Sequence, residues 1–232
     1  MRSRDFTPGT LKSALIISPH PDDESLGCGG TAALLSRSGV RVSVLFVTDG
    51  GGSHPGHTTL SPSKIAVIRR EEACSAADAL GIDLRNVTFL GAEDGTLGGL
   101  DEGGGKAIAD RLEGLLRRAR PDTVLLPCRR DGSSEHEATF ILFQAAMRRS
   151  GGLPRVLEFP VWAWRNPLRL LRPMISSRTV WRVRYPGMME VKRRALGSHA
   201  SQVLPLPPDP RPALPPDFVA EFQVPEEFLF ER

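Results

Sequence analysis

His20-Pro21-Asp22-Asp23-Glu24 places one imidazole and three carboxylates in five consecutive residues, a donor set suited to a divalent transition metal and the water it activates. Adjacent aspartates cannot both face one way, so His20 and Asp23 could hold an ion while Asp22 faces the water. The same string also reads as a turn histidine followed by an aspartate helix cap, and on its own it leaves both readings open. A second set lies far along the chain, Asp131-Gly132-Ser133-Ser134-Glu135-His136. His136 is the candidate third ligand, completing two imidazoles and one carboxylate with a position left for water. Asp131 is either a turn former or a carboxylate that orients a ligating imidazole.

Both sets need elements to hold them. Ala14 to Ile17 is a short apolar run, as a buried parallel strand should be, and Ser18-Pro19 ends it. The first cluster therefore follows a strand's carboxyl end, the edge where open α/β sheets bind ligands. Gly27-Cys28-Gly29-Gly30 leads into a helix closed by Gly39, and Val42 to Val47 is the next strand. Strand, helix and strand in this order make a βαβ unit. The glycines do not fit GxGxxG, which excludes a dinucleotide fingerprint. Asp49 to Pro62 is a long loop carrying His54 and His57, followed by a helix over Ser63 to Leu80.

Further strands are expected at Val87 to Leu90 and Thr123 to Leu126, with helices at Ala107 to Arg118 and His136 to Arg149. This alternation predicts a doubly wound sheet. Beyond Gly151, strands are expected at Val156 to Trp162 and Thr179 to Tyr185 around a basic loop, Arg165 to Arg178, and then a helix from Met188 to His199. Pro205 to Pro216 is expected to be an extended strap or linker. The final Phe218 to Phe230 segment is left without an assigned element.

The 232 residues suffice for one α/β core, so a single domain is expected over 1–232, with its core at 12–150 and a capping part at 151–232. No apolar stretch reaches transmembrane length, and the polar N-terminus lacks a secretory h-region. Three cysteines without CxxC spacing indicate neither a disulfide framework nor a cysteine zinc site, and a reducing cytoplasm fits them. Net charge is only +3, yet Arg155 to Arg194 carries ten Lys/Arg against Glu158 and Glu190. That stretch is either a solvated arginine face or a contact for an anionic partner. Its interleaved Leu168, Leu170, Leu171, Met174 and Ile175 leave open a peripheral membrane contact, a capping loop or a homo-oligomer interface. No nucleic-acid partner is expected.

Taken together, the HPDDE string and the later Ser133-Ser134-Glu135-His136 resemble the LmbE-like, or PIG-L, family of metal-dependent N-acetylglucosamine de-N-acetylases. Thr48-Asp49-Gly50 with Ser53-His54, Arg69 with Glu72, Leu90-Gly91 to Asp94-Gly95, and Lys192 with His199, Ser201 and Gln202 are similar to further family positions. The resemblance implies a Rossmann-like three-layer α/β sandwich, its sheet mostly parallel with helices on both faces and an irregular C-terminal extension. It implies His20, Asp23 and His136 as ligands of zinc or another divalent transition metal. Asp22 becomes the general base, and Glu24 orients the cluster or caps the helix. His54, Arg69, Asp94 and Ser133 become candidate substrate contacts.

The implied activity is removal of an acetyl group from an N-acetylglucosaminyl conjugate. Free sugar, inositol or malate glycoside, glycolipid and antibiotic conjugate all remain open as substrates. One position departs from the family pattern: Ser133 stands where its HPDH motif has a histidine that assists the tetrahedral intermediate. Ser133 can donate a hydrogen bond but not a cationic proton. Losing such a donor costs on the order of 10² to 10³ in turnover. Substitution by His54 or His57, or reliance on the metal alone, would preserve activity. Otherwise the chain would be a weakened sugar-binding homologue, and a third alternative is hydrolysis of a different amide such as a thiol conjugate.

Overall fold

The computed structural model describes residues 3–231, without the side chains of Pro167, Arg172 and Pro173. Along them run β1 (Arg4–Asp5), β2 (Ser13–Ser18), α1 (Asp23–Arg37), β3 (Arg41–Thr48), α2 (Pro62–Ala79) and β4 (Val87–Ala92). There follow α3 (Glu102–Ala119), β5 (Thr123–Pro127), α4 (Ser134–Ser150), β6 (Arg155–Phe159), α5 (Pro167–Ser176) and β7 (Thr179–Arg184). The chain ends through α6 (Met189–Ser198), α7 (Ala200–Val203), α8 (Pro216–Ala220) and β8 (Glu226–Glu231). One eight-stranded sheet has the order β1-β7-β8-β6-β5-β2-β3-β4. Only β8 runs against its neighbours, β6 and β7.

Strand β2 is buried along its whole length, and its side chains alternate between two cores. Ala14 and Ile16 join the face covered by α1, α2 and α6. Leu15 and Ile17 join the face covered by α3 and α4. This is the three-layer α/β sandwich expected, because period-two alternation in a doubly covered strand makes both faces apolar. The chain passes from β2 to β3 on one side and pairs β2 with β5 on the other. The winding therefore reverses between β2 and β5, and a crevice opens at their carboxyl ends.

The glycines of α1 serve packing. A Cβ at Gly27 would lie 2.1 Å from the Phe159 ring, and one at Gly30 would lie 2.3 Å from Tyr185. Only bare backbone lets α1 lie this close to the sheet, and the helix kinks at Cys28 (φ −145°) as it does so.

Two expectations need correction, and one segment without an assigned element gains one. The basic loop from Arg165 to Arg178 is largely helix: a 3₁₀ turn over Trp162–Arg165 leads into α5, so β6 ends at Phe159 rather than Trp162. Helix α3 begins five residues earlier than expected, because the Asp101 side chain caps it by accepting the Gly104 N–H. The unassigned final segment supplies β8 inside the sheet, with Phe230 opposite both Glu158 and Val180. Its pairing is non-local, and local pattern does not encode it.

Candidate metal centre

The β2–α1 turn delivers the first cluster. Asp22 precedes α1 at φ 154°, a backbone state that costs a non-glycine residue roughly 1–3 kcal/mol. Around it the polypeptide is over-determined. The Asp22 N–H donates to Glu24 Oε2 (3.1 Å), and the His20 N–H donates to Asp23 Oδ2 (2.9 Å). Arg69 of α2, 2% exposed, donates through Nη2 to Asp22 Oδ2 (2.9 Å) and the Pro21 carbonyl (2.7 Å), and through Nη1 to the Gly50 carbonyl (2.9 Å). Arg69 and Glu72 are thus not a simple helix pair: Glu72 accepts from the Ser201 N–H and hydroxyl at 2.6 and 2.7 Å.

The β5–α4 loop delivers the second cluster to the same place. Asp131, fully buried, accepts the backbone N–H groups of Val161, Trp162 and Ala163 and pairs with His136 Nδ1 at 2.7 Å. The reading of Asp131 as an orienting carboxylate, rather than a turn former, is the one this geometry supports. With Nδ1 engaged, His136 turns Nε2 toward Asp23 Oδ2, 3.2 Å away. That nitrogen is buried and makes no hydrogen bond.

His20 is arranged in the same way. Its Nε2 pairs with Glu135 Oε2 at 2.6 Å, with Asp94 Oδ1 at 3.3 Å, while Nδ1 faces Asp23 Oδ2 at 3.1 Å. Each imidazole therefore has its far nitrogen held by carboxylates and its near nitrogen directed at one shared Asp23 oxygen. Ligand atoms of His20, Asp23 and His136 all fall within 4.8 Å of one another.

A divalent transition metal fits this set: two neutral nitrogen donors, one carboxylate and outer carboxylates that fix the tautomers. The orphaned His136 Nε2 is the atom such an ion would satisfy. His20, Asp94 and Glu135 also cluster, but Glu135 already accepts the Gly95 and Leu97 N–H groups and serves better as an orienting group.

Electrostatics point the same way. Burial alone would depress His136, yet the Asp23 charge and the Asp131 hydrogen bond lift it to about 9. Burial likewise works against a charged His20, and Asp23, Asp94 and Glu135 outweigh it and raise it. Asp23 is opposed by burial but driven below the usual carboxylate range by His136 and His20. The carboxylates around the two imidazoles thus favour positive charge in the cavity, and an ion would bind there by displacing these protons. Asp22 behaves differently: burial pushes it up to about 6, against the pull of Arg69.

Above the cluster lies a pocket of about 330 Å³ whose walls include Asp22, Ser53, Asp94, Ser133, Trp162 and Gln202. Trp162 stacks on Phe218 (4.6 Å between centroids) and forms an apolar wall. Ser133 borders the pocket and also begins α4, its Oγ accepting the His136 N–H at 3.5 Å.

His54 is not among the pocket's walls. Its ring, 7% exposed, pairs through Nδ1 with Ser53 Oγ (2.9 Å) and borders a neighbouring cavity under the proline strap. His57 ties its loop together by accepting the Leu60 N–H at 3.0 Å.

Of three further contacts, that of Glu24 matches its expected role of orienting the cluster, whereas those of Glu135 and Gln202 have no counterpart in the expectations from sequence. Glu135 holds His20. Glu24 bridges the Asp22 N–H to His199 Nε2 (3.0 Å). Gln202 reaches Ser53 Oγ at 3.3 Å. The signal for Glu135 was its place one residue before a ligand candidate at a helix start.

The model of the PIG-L family, described as GlcNAc-PI de-N-acetylase, matches residues 15–147. The diacetylchitobiose deacetylase of Thermococcus kodakarensis is 30% identical over 199 residues, covering 83% of this chain and 70% of that one. The solved N,N'-diacetylchitobiose deacetylase of Pyrococcus horikoshii, in complex with its inhibitor MPG, superposes with a TM-score of 0.63 at 23% identity (82% and 70% covered). GalB, the 4-carboxy-2-hydroxymuconate hydratase of Pseudomonas putida KT2440, superposes with a TM-score of 0.68 at 25% identity (83% and 80% covered).

Proposed function

The chain belongs to the PIG-L family, and from that premise we propose that it hydrolyses the acetamido group of an N-acetylglucosaminyl conjugate, releasing acetate and a free amine. The observation that carries this reading is the buried convergence of His20, Asp23 and His136 beneath a pocket that Asp22 also lines. His20, Asp23 and His136 would hold a divalent metal, zinc by donor preference, which when bound polarises the amide carbonyl and acidifies water.

The chain's own groups do the rest. Asp22, raised to about 6, is mostly ionised at neutral pH and accepts the proton of the attacking water. With one oxygen fixed by Arg69, its other oxygen is left to carry that proton to the departing amine. Glu24 and Arg69 hold the strained turn, so Asp22 does not reorganise during the reaction. Ser53, Gln202 and Ser133 offer donors to sugar hydroxyls, and Trp162 closes an apolar side.

The test is amine release, read with fluorescamine, from free N-acetylglucosamine, diacetylchitobiose and the inositol and malate glycosides. Zinc-loaded protein should release amine from at least one substrate, and chelator should abolish it. No release from any of them would overturn the reading. The likeness to a hydratase favours a second reading, in which the same cluster and Asp22 add water across a carbon–carbon double bond. Loss of ultraviolet absorbance from an unsaturated hydroxy acid, without any amine release, would select it.

A further inference from the structure

Helix α5 is nearly unsupported. Of its described side chains Leu170 is the best covered, whereas Leu168 (72%) and Ile175 (76%) stand in solvent and Leu171 (47%) and Met174 (36%) are partly exposed. Trp164, in the turn that leads into it, is also exposed. Five of the eleven exposed large apolar side chains among the described residues thus fall within twelve positions. At 3.6 residues per turn Leu168, Leu171, Met174 and Ile175 share one face, while Arg169 lies on the other. A ten-residue helix is too short to be stable in water by itself, so an apolar face left open needs a surface to bury it.

Charge identifies the surface. Between Glu158 and Glu190 the chain holds six arginines and no acidic residue. Arg178 follows the helix and is exposed, as are Arg129 and Arg130 of the adjoining β5–α4 loop, while Arg165 at its other end is exposed but paired with Asp217 at 2.9 Å. The helix also sits at the lip of the candidate site. Arg169 lies so close over Gly132 that a Cβ there would come within 2.8 Å of its Nη1. Gly132, Ser133 and Trp162 line the pocket, and Trp162 opens the turn that runs into α5. An apolar strip bordered by arginines, beside the mouth of a pocket, is the pattern of an interfacial helix.

We propose that α5, with Trp164, docks the protein on an anionic lipid surface and brings the pocket mouth against the bilayer. Leucine and isoleucine side chains would enter the acyl boundary, Trp164 would sit at headgroup depth, and the arginines would meet lipid phosphates. A second copy of the chain is disfavoured as the occupant, because two such faces would bring like charges together.

The test is co-sedimentation of the full chain with sucrose-loaded vesicles, which needs neither metal nor substrate and so stands or falls separately from the deacetylase reading. Phosphatidylglycerol/phosphatidylcholine vesicles should bind more than tenfold more protein than phosphatidylcholine alone, and high salt should release it. Leu168→Gln with Ile175→Gln keeps charge and helix propensity and should lower binding about tenfold or more. Its circular dichroism and melting temperature should match the wild type, since both side chains are exposed. Equal pelleting with neutral and anionic vesicles, or full binding by the double variant, would overturn the proposal. So would light scattering that finds a dimer which the double variant dissolves.

Discussion

Glu135 Oε2 stands 2.6 Å from His20 Nε2, so the first turn of α4 grips the imidazole that the β2–α1 turn presents. One helix start thereby contributes both a candidate ligand, His136, and the carboxylate that aims the other. Because Glu135 Oε1 is occupied by the Gly95 and Leu97 N–H groups, the carboxylate cannot rotate away. Glu135→Gln should keep the backbone contacts but hold His20 less firmly. Zinc affinity, measured by competition with a chromogenic chelator, should fall roughly 10- to 100-fold; unchanged affinity would remove Glu135 from the site's support.

Removal of a donor should be more severe. Each of His20→Ala, Asp23→Ala and His136→Ala should lower bound metal from about one ion per chain to a small fraction, because two remaining ligands make a weak site. Elemental analysis after dialysis reads this directly. Full occupancy in all three variants would refute the ligand set.

Asp22→Asn tests the base separately from the metal. The amide can still accept from Arg69 and retains the turn, so metal content and melting temperature should stay near wild type. Turnover should fall about 10² to 10⁴. Wild-type turnover would reduce Asp22 to a turn residue held by Arg69.

Ser133→His restores an imidazole beside the pocket and should raise kcat, at a cost of about 1 kcal/mol in stability from the lost helix cap. His54→Ala and His57→Ala should change kcat less than twofold, since neither ring is among the pocket walls. A loss of roughly 10² in either variant would instead identify a loop histidine as the surrogate donor.

Outside the site, Lys192 and Glu227 form a buried pair at 2.6 Å, and Glu227 also accepts the Gly30 and Thr31 N–H groups. Lys192→Met would leave the Glu227 carboxylate buried without its cation. Urea denaturation should register a loss of about 3–5 kcal/mol. A loss under 1 kcal/mol would mean that the Gly30 N–H with the N–H and hydroxyl of Thr31 satisfy Glu227 without the lysine.

The core strands, the alternation that makes a doubly wound sheet and the candidate donor residues are legible in the chain, because each is written locally. An apolar run halted by Ser18-Pro19 is a strand end wherever it folds, and HPDDE carries its donors within five residues. Which partner each candidate donor receives is set by the fold. Nothing near His20 in sequence announces Glu135, 115 positions away, and nothing near Glu24 announces His199. The pairing of β2 with β5 brings the first two together, and the packing of α6 and α7 against α1 and α2 brings the second two. The same holds for β8 and α5. The first is a strand only because β6 and β7 offer it a gap between them, and the second is a ten-residue helix whose described apolar side chains the fold leaves largely exposed.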